Sequence, residues 1–144
     1  MPYLLDTNVI SETVRARPEP RLLGWLERQA PSELYLASQT IGELVRGAAR
    51  VREQVRRERF MTWIEDDLGR QFEGRILPFD QAAARIWGRL MGDGDRMGQT
   101  PSAADAQIAA VAIERGLVLV TRNVRDFQRF DLALLNPWEA AAGG

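Results

Sequence analysis

The chain has 144 residues, an apolar share of 45%, a charged share of 27% and a formal net charge of −1, the profile of one ordinary globular domain over residues 1–144. It has no histidine and no cysteine, and all 19 of its basic residues are arginines. Those absences exclude the usual zinc ligands, a disulfide framework, histidine acid–base or triad catalysis, and any mechanism built on a lysine amine.

The predicted elements alternate between strand and helix. Tyr3-Leu4-Leu5 reads as a short apolar strand ending at Asp6, and Asp6-Thr7-Asn8 offers cap chemistry for a helix over about residues 9–15. Pro18 and Pro20 punctuate the chain. A helix is expected over residues 21–29, with Leu22, Leu23, Trp25 and Leu26 as its apolar positions. Leu34–Ala37 is the second strand. Ser38 or Thr40 is expected to cap the next helix, which places Glu43 in its first turn. An arginine-rich helical stretch is expected over about residues 51–72, stopped by Gly74. Residues 75–79 read as a third strand, and Asp80 as the cap of a helix to about Met91. Gly92, Gly94 and Gly98 read as a loop. Thr100-Pro101-Ser102 signals the next helix, which carries Asp105 and Ile108 and ends at Gly116. Residues 117–120 form the clearest strand pattern, and Leu134-Leu135 the last one. Strands alternating with helices imply an α/β fold whose parallel sheet is covered on both faces. Ligands of such sheets bind beyond the carboxyl ends of the strands.

Four acids fall where that rim is expected. Asp6 ends the first strand, and Glu43 opens the helix after the second. Asp126 follows the clearest strand, and Asp105 lies in the first turn of the helix before it. Crowded carboxylates repel one another and call for a cation. Mg2+ takes oxygen ligands and keeps several waters. It can activate such a water and stabilise charge on a phosphate, which suits phosphodiester hydrolysis. Asn8, Thr121 and Asn123 lie beside these acids and are candidates to orient a carboxylate or a water. Each acid also has a plainer explanation, as a helix cap or a partner of the helix dipole. Glu65, Asp66 and Asp67 read as a solvated helix face, and Asp93 and Asp95 as loop acids.

The arginines offer a second signal. Arg46 and Arg50, with Arg52, Arg56, Arg57 and Arg59, are candidate phosphate contacts, because a guanidinium fork matches phosphate oxygens. The competing explanation is a solvated helix exterior paired with Glu53 and Glu58. The net charge of −1 does not by itself announce a nucleic-acid binder. Trp25, Trp63, Trp87 and Trp138 are candidates for base stacking, although the first three lie in apolar helical patterns that favour core or interface roles. Leu22, Leu26 and the arginine-rich helices are candidates for a dimer and partner groove. No run approaches the roughly 18 apolar residues of a membrane span, and the N-terminus lacks a basic leader. A cytoplasmic protein without a membrane anchor is expected.

The residues around the acids resemble a known family. Leu4-Leu5-Asp6-Thr7-Asn8-Val9-Ile10-Ser11-Glu12 resembles the first motif of the PIN-domain nucleases, and more narrowly of the VapC toxins and their FitB-like branch. Ile41-Gly42-Glu43-Leu44 resembles the second motif. Residues 102–110, around Asp105, resemble the third, and residues 116–127, ending Arg125-Asp126-Phe127, the fourth. The motifs run in family order across almost the whole chain. The resemblance implies a three-layer α/β/α sandwich around a central parallel sheet. It implies Mg2+, or Mn2+ in its place, on Asp6 and Asp105, with Glu43 and Asp126 completing an acidic pocket. Asn123 stands where some relatives carry another acid. It further implies cleavage of RNA, a toxin–antitoxin setting and a homodimer. A small VapB/FitA-like antitoxin would block the site with its C-terminal segment, and operator DNA would be contacted only through that antitoxin.

Three other classes compete. A phosphatase or receiver-like domain also carries acids at strand ends. The phosphatase class needs a second Asp two positions after the first, where this chain has Asn8, and both classes use a lysine. A DNA nuclease of the same fold, or a non-catalytic nucleic-acid-binding module, stays open; metal titration and parallel RNA and DNA cleavage separate them.

Overall fold

The computed structural model describes residues 2–140. Strand β1 (Tyr3–Leu5) leads into helices α1 (Thr7–Thr13) and α2 (Pro20–Glu27), and β2 (Leu34–Ala37) runs straight into α3 (Ser38–Ala49). Helix α4 (Gln54–Thr62) continues through a π-helical turn (Trp63–Leu68) into the short α5 (Gly69–Gln71), ahead of β3 (Ile76–Leu77). Helices α6 (Gln81–Arg96) and α7 (Ala103–Arg115) precede β4 (Val118–Val120), α8 (Val124–Phe127) and β5 (Leu134–Leu135).

The sheet is parallel throughout, in the order β3-β2-β1-β4-β5. The chain builds outward from β1 to β3, then returns to lay β4 against the other side of β1. There Leu4 stands opposite Leu119, and Leu5 opposite Val120. This reversal is the topological switch point, where an open α/β sheet leaves a crevice at its carboxyl edge.

Successive strand residues point to opposite faces, and the apolar side chains sort accordingly. Leu4, Ala37, Leu77 and Leu119 pack with Ala83 of α6, Ile108 and Ala109 of α7, and Phe127 of α8. Leu5, Leu34, Leu36 and Val120 pack the other way, against Val9, Ile10, Leu22, Trp25, Leu68 and Phe72. The result is the expected three-layer α/β/α sandwich. Helix α7 meets the sheet through fully buried small residues, Ala106, Ala109, Ala110 and Ala112. That close seat brings its N-terminal turn to the sheet rim.

Several expectations need correction. Helix α6 does not stop near Met91 but continues through Gly92 and Gly94 to Arg96. A Cβ on Gly94 would lie 2.6 Å from Pro101 Cδ and 2.7 Å from the Gln99 carbonyl oxygen. The glycine lets the connection to α7 fold back against the helix, which offsets the roughly 1 kcal/mol cost of a helical glycine. Neither Ser38 nor Thr40 caps α3. The helix begins at Ser38 without a side-chain cap, and the Ser38 hydroxyl donates instead to the Leu77 carbonyl at 3.1 Å. Glu43 therefore sits in the second turn, not the first. The arginine-rich stretch restarts at α4, where the Glu53 carboxylate accepts the backbone N–H of Val55 at 3.2 Å and of Arg56 at 2.7 Å. Leu22 is fully buried, so it belongs to the core and not to a dimer groove.

Candidate active site

Asp6 stands at the switch point, between the end of β1 and the end of β4. Its backbone N–H donates to the Val120 carbonyl at 2.9 Å, which fixes the two strand ends together. Its carboxylate caps α1, accepting the Thr7 N–H on Oδ1 at 2.8 Å. The other oxygen, Oδ2, accepts the Thr121 hydroxyl at 2.8 Å and the Asn8 carboxamide at 3.4 Å. The cap explanation and the site explanation thus hold for one residue at once. Thr121 is fully buried. Its hydroxyl also accepts the Asn123 N–H at 3.0 Å and the Asn8 carboxamide at 3.3 Å. Asn8 in turn accepts the Arg122 N–H on Oδ1 at 3.2 Å. Asn8 and Thr121 therefore hold the Asp6 carboxylate in one orientation. Asn123 contributes its backbone to this net, and its side chain is exposed.

The structure brings the four predicted acids into one electrostatic neighbourhood. Burial raises the Asp6 carboxyl above the usual aspartate range. Hydrogen bonds from Thr121 and Thr7 pull it down, and repulsion from Asp126 pushes it further up. Glu43 is also raised, by burial first and then by repulsion from Asp6 and Asp105, against a hydrogen bond from Thr7. Asp105 is raised by burial, then by Asp126 and Asp6. None of the four is paired with an arginine among the described residues. Asp105 lies in the first turn of α7, capped by Ser102, and Asp126 in the first turn of α8.

The donor set is all oxygen, which fits a hard divalent cation. Among the described residues no three acidic side chains converge into a ready-made metal cage. Mg2+ needs no such cage; it is held by one or two carboxylates and otherwise by water and substrate oxygens. On the α3 side of this cluster lies a cavity of about 510 Å3. Thr7 and Glu43 stand in its wall, Leu44, Phe60 and Trp63 form apolar lining, and Arg15 and Arg56 supply charge. Arg46 and Arg50 do not line it; Arg46 is exposed in the later part of α3, and Arg50 is exposed at its C-cap.

The sequence matches the model of the PIN domain over residues 3–132. The chain belongs to the PIN-domain family. It is 38% identical over 138 residues to the VapC ribonuclease Y4jK of Sinorhizobium fredii, covering 96% of this chain and 99% of that protein. It is 36% identical over 135 residues to toxin FitB of Neisseria gonorrhoeae, covering 94% and 97%. In the crystal structure of FitAcB from Neisseria gonorrhoeae, a chain with 36% identity superposes with a TM-score of 0.89, over 95% of this chain and 99% of that one. This PIN domain thus stands among the VapC and FitB proteins.

Two polar residues of this PIN domain escaped the sequence reading. Thr40 is fully buried, and its hydroxyl lies 3.3 Å from that of Thr7, tying the first turns of α1 and α3 together beside Glu43. Its signal was its place one helical turn before Glu43, masked by the expectation of a cap. Glu12, quoted above only as part of a motif, is buried. One carboxylate oxygen accepts the Glu19 N–H at 3.0 Å, and the other pairs with Arg15 at 3.2 Å.

Proposed function

We propose that this chain is a Mg2+-dependent endoribonuclease, the toxin of a type II toxin–antitoxin pair. The observation that carries the proposal is the mutual repulsion that links Asp6, Glu43, Asp105 and Asp126 around the switch point, with no arginine paired to any of them among the described residues. Asp6 and Asp105 are assigned as the residues that hold Mg2+ or Mn2+. Glu43 is assigned to orient the attacking water, and Asp126 to complete the acidic pocket. Bound there, the metal would stabilise charge on the scissile phosphate and lower the pKa of a water. Thr121 and Asn8 keep the Asp6 carboxylate aimed, so little reorganisation is needed when substrate arrives. In-line attack would leave a 5′-phosphate and a 3′-hydroxyl.

The names of the relatives support RNA as substrate and an antitoxin as partner. The cavity beside Glu43, with Leu44, Phe60 and Trp63 in its lining, suits an apolar segment of a small VapB/FitA-like protein that blocks the site. A homodimer is proposed with it, and contact with operator DNA only through the antitoxin. No helix among the described residues is long and apolar enough to cross a membrane, and the cytoplasm is the proposed compartment. The deciding experiment incubates the chain with single-stranded RNA and, in parallel, single-stranded DNA, with Mg2+ or with EDTA. RNA cleavage that needs Mg2+ and vanishes in Asp105→Asn is the expected result. Cleavage that persists in EDTA refutes the metal assignment, and cleavage of DNA alone replaces the substrate.

A further inference from the structure

We infer that Arg122, seated on the indole of Trp138, is a phosphate-contacting side chain that flanks the acidic site on its β5 side. The inference rests on the ribonuclease reading and adds a substrate-binding residue to it.

The backbone of Arg122 is fixed from two directions. Its N–H donates to Asn8 Oδ1 at 3.2 Å, and Asn8 is hydrogen-bonded to Asp6. Its carbonyl accepts the Asn136 carboxamide at 3.4 Å. Asn136 also accepts the Trp138 N–H, at 2.9 Å, so one side chain ties Arg122 to Trp138. The guanidinium carbon of Arg122 lies 5.4 Å from the centroid of the Trp138 ring. Trp138 is anchored in turn: its ring packs at the edge of the α1–α2 core, and its carbonyl accepts the Arg21 guanidinium at 3.3 Å.

This contact places a positive charge on the β4–β5 side of the site, across from the cavity that Arg15 and Arg56 border. Arg15, Arg70, Arg96 and Arg115 pair with carboxylates, whereas Arg122 is exposed and pairs with no acid among the described residues. The guanidinium meets the indole through a cation–π contact. Its edge keeps the N–H groups that grip phosphate oxygens in a fork. The position fits a chain crossing the rim. Glu43 and the 510 Å3 cavity lie on the α3 side of Asp6, while Arg122 follows β4 on the opposite side. A polyanion held over four carboxylates needs positive charge beside the metal. A purely structural role explains the stack less well, since Trp138 is already packed and Arg122 lies at the surface.

The test measures binding, in the cleavage-deficient Asp105→Asn chain, of a fluorescein-labelled single-stranded RNA of about 20 nucleotides and mixed sequence, by anisotropy across a NaCl series. Arg122→Ala is expected to weaken binding about tenfold and to flatten the slope of log K against log[salt] by about 0.7, the value of one lost phosphate contact on a single strand. Arg122→Lys keeps the charge and should keep most of the slope while still losing affinity. An unchanged slope in Arg122→Ala, with a lowered Tm, makes the stack structural and overturns the inference. An Asp105→Asn chain that binds no RNA overturns it too. Whether the ribonuclease reading falls with it is read separately, from cleavage by the wild-type chain.

Discussion

Two buried carboxylates bracket α1, and they live in opposite surroundings. Asp6, at its N-terminus, is 9% exposed, and Glu12, in its last turn, is 7% exposed. Glu12 is compensated by Arg15 at 3.2 Å and by the Glu19 N–H at 3.0 Å. It binds the connection between α1 and α2 back onto α1. Asp6 has hydrogen-bond donors but no arginine partner among the described residues, and the charge that acts on it is that of Asp126. Buried charge is normally paired. Glu12 finds its pair within the chain, whereas Asp6 leaves a charge for something outside it. Burial alone therefore does not separate structural acids from chemical ones in this molecule; compensation does.

The largest effect that can break this contrast is on cleavage. Asp105→Asn is expected to lower kcat/KM on RNA roughly 10^3-fold, the equivalent of about 4 kcal/mol of transition-state stabilisation. The fold should be intact, because the Ser102 cap and the buried alanine face of α7 are untouched. Cleavage within a few-fold of wild type in a folded variant would remove Asp105 from the site. Glu12→Ala is expected to do the reverse. It loses a charged hydrogen bond and strands the Glu19 amide, a cost of about 2 kcal/mol, visible as a lower urea midpoint. If Glu12→Ala were as stable as wild type, the compensated carboxylate would have no structural role to contrast.

The contrast also explains what could be read from the sequence. The strand–helix alternation, the parallel sheet, and the places of Asp6 at the end of β1, Asp105 in the first turn of α7 and Asp126 after β4 were legible. Strand ends and helix starts carry periodicity and cap signals, and residue types restrict the chemistry. The helical run through Gly92 and Gly94 was not legible, because the need for glycine arises from Pro101 and Gln99 folding back on it. The start of α3 was misread because Ser38 turns its hydroxyl to a strand remote in sequence. The Glu12–Glu19 bond and the Thr7–Thr40 contact depend on loop paths that no local pattern specifies. Of the arginines chosen by composition, Arg56 borders the cavity and Arg46 and Arg50 do not, whereas Arg15, which also borders it, comes from the loop after α1.

A metal sharpens the comparison by supplying the missing charge on one side only. Adding Mg2+ at about tenfold its Kd should stabilise the wild-type chain by about 1.4 kcal/mol, seen as a rise in Tm that EDTA abolishes. Glu12→Ala should show the same rise from a lower baseline, since its acid lies outside the cluster. Asp6→Asn, which keeps a capping side chain, should show little or none. A similar rise in Asp6→Asn would mean that the ion binds elsewhere.

The smallest expected effect is the dependence of stability on pH in EDTA. Asp6, Glu43 and Asp105 are all raised in the folded chain above their ordinary values of 3.8, 4.5 and 3.8. A folded state with raised carboxyl pKa values binds more protons than the unfolded chain between the two sets of values. Stability from these groups is therefore complete below about pH 4 and is lost as pH rises through the folded values. Replacing all three, as Asp6→Asn, Glu43→Gln and Asp105→Asn together, removes that loss. The triple variant should be more stable than wild type at pH 7, and the gap should narrow as the pH is lowered toward the ordinary carboxyl values, about pH 4. Saturating Mg2+ should shrink the gap at pH 7, because the cation compensates the buried, mutually repelling carboxylates of the wild-type chain. A gap that stays constant as the pH is lowered from 7 to about 4 would mean that neither burial nor mutual repulsion raises these three carboxyls in the folded chain. Asp6 would then be as well compensated as Glu12.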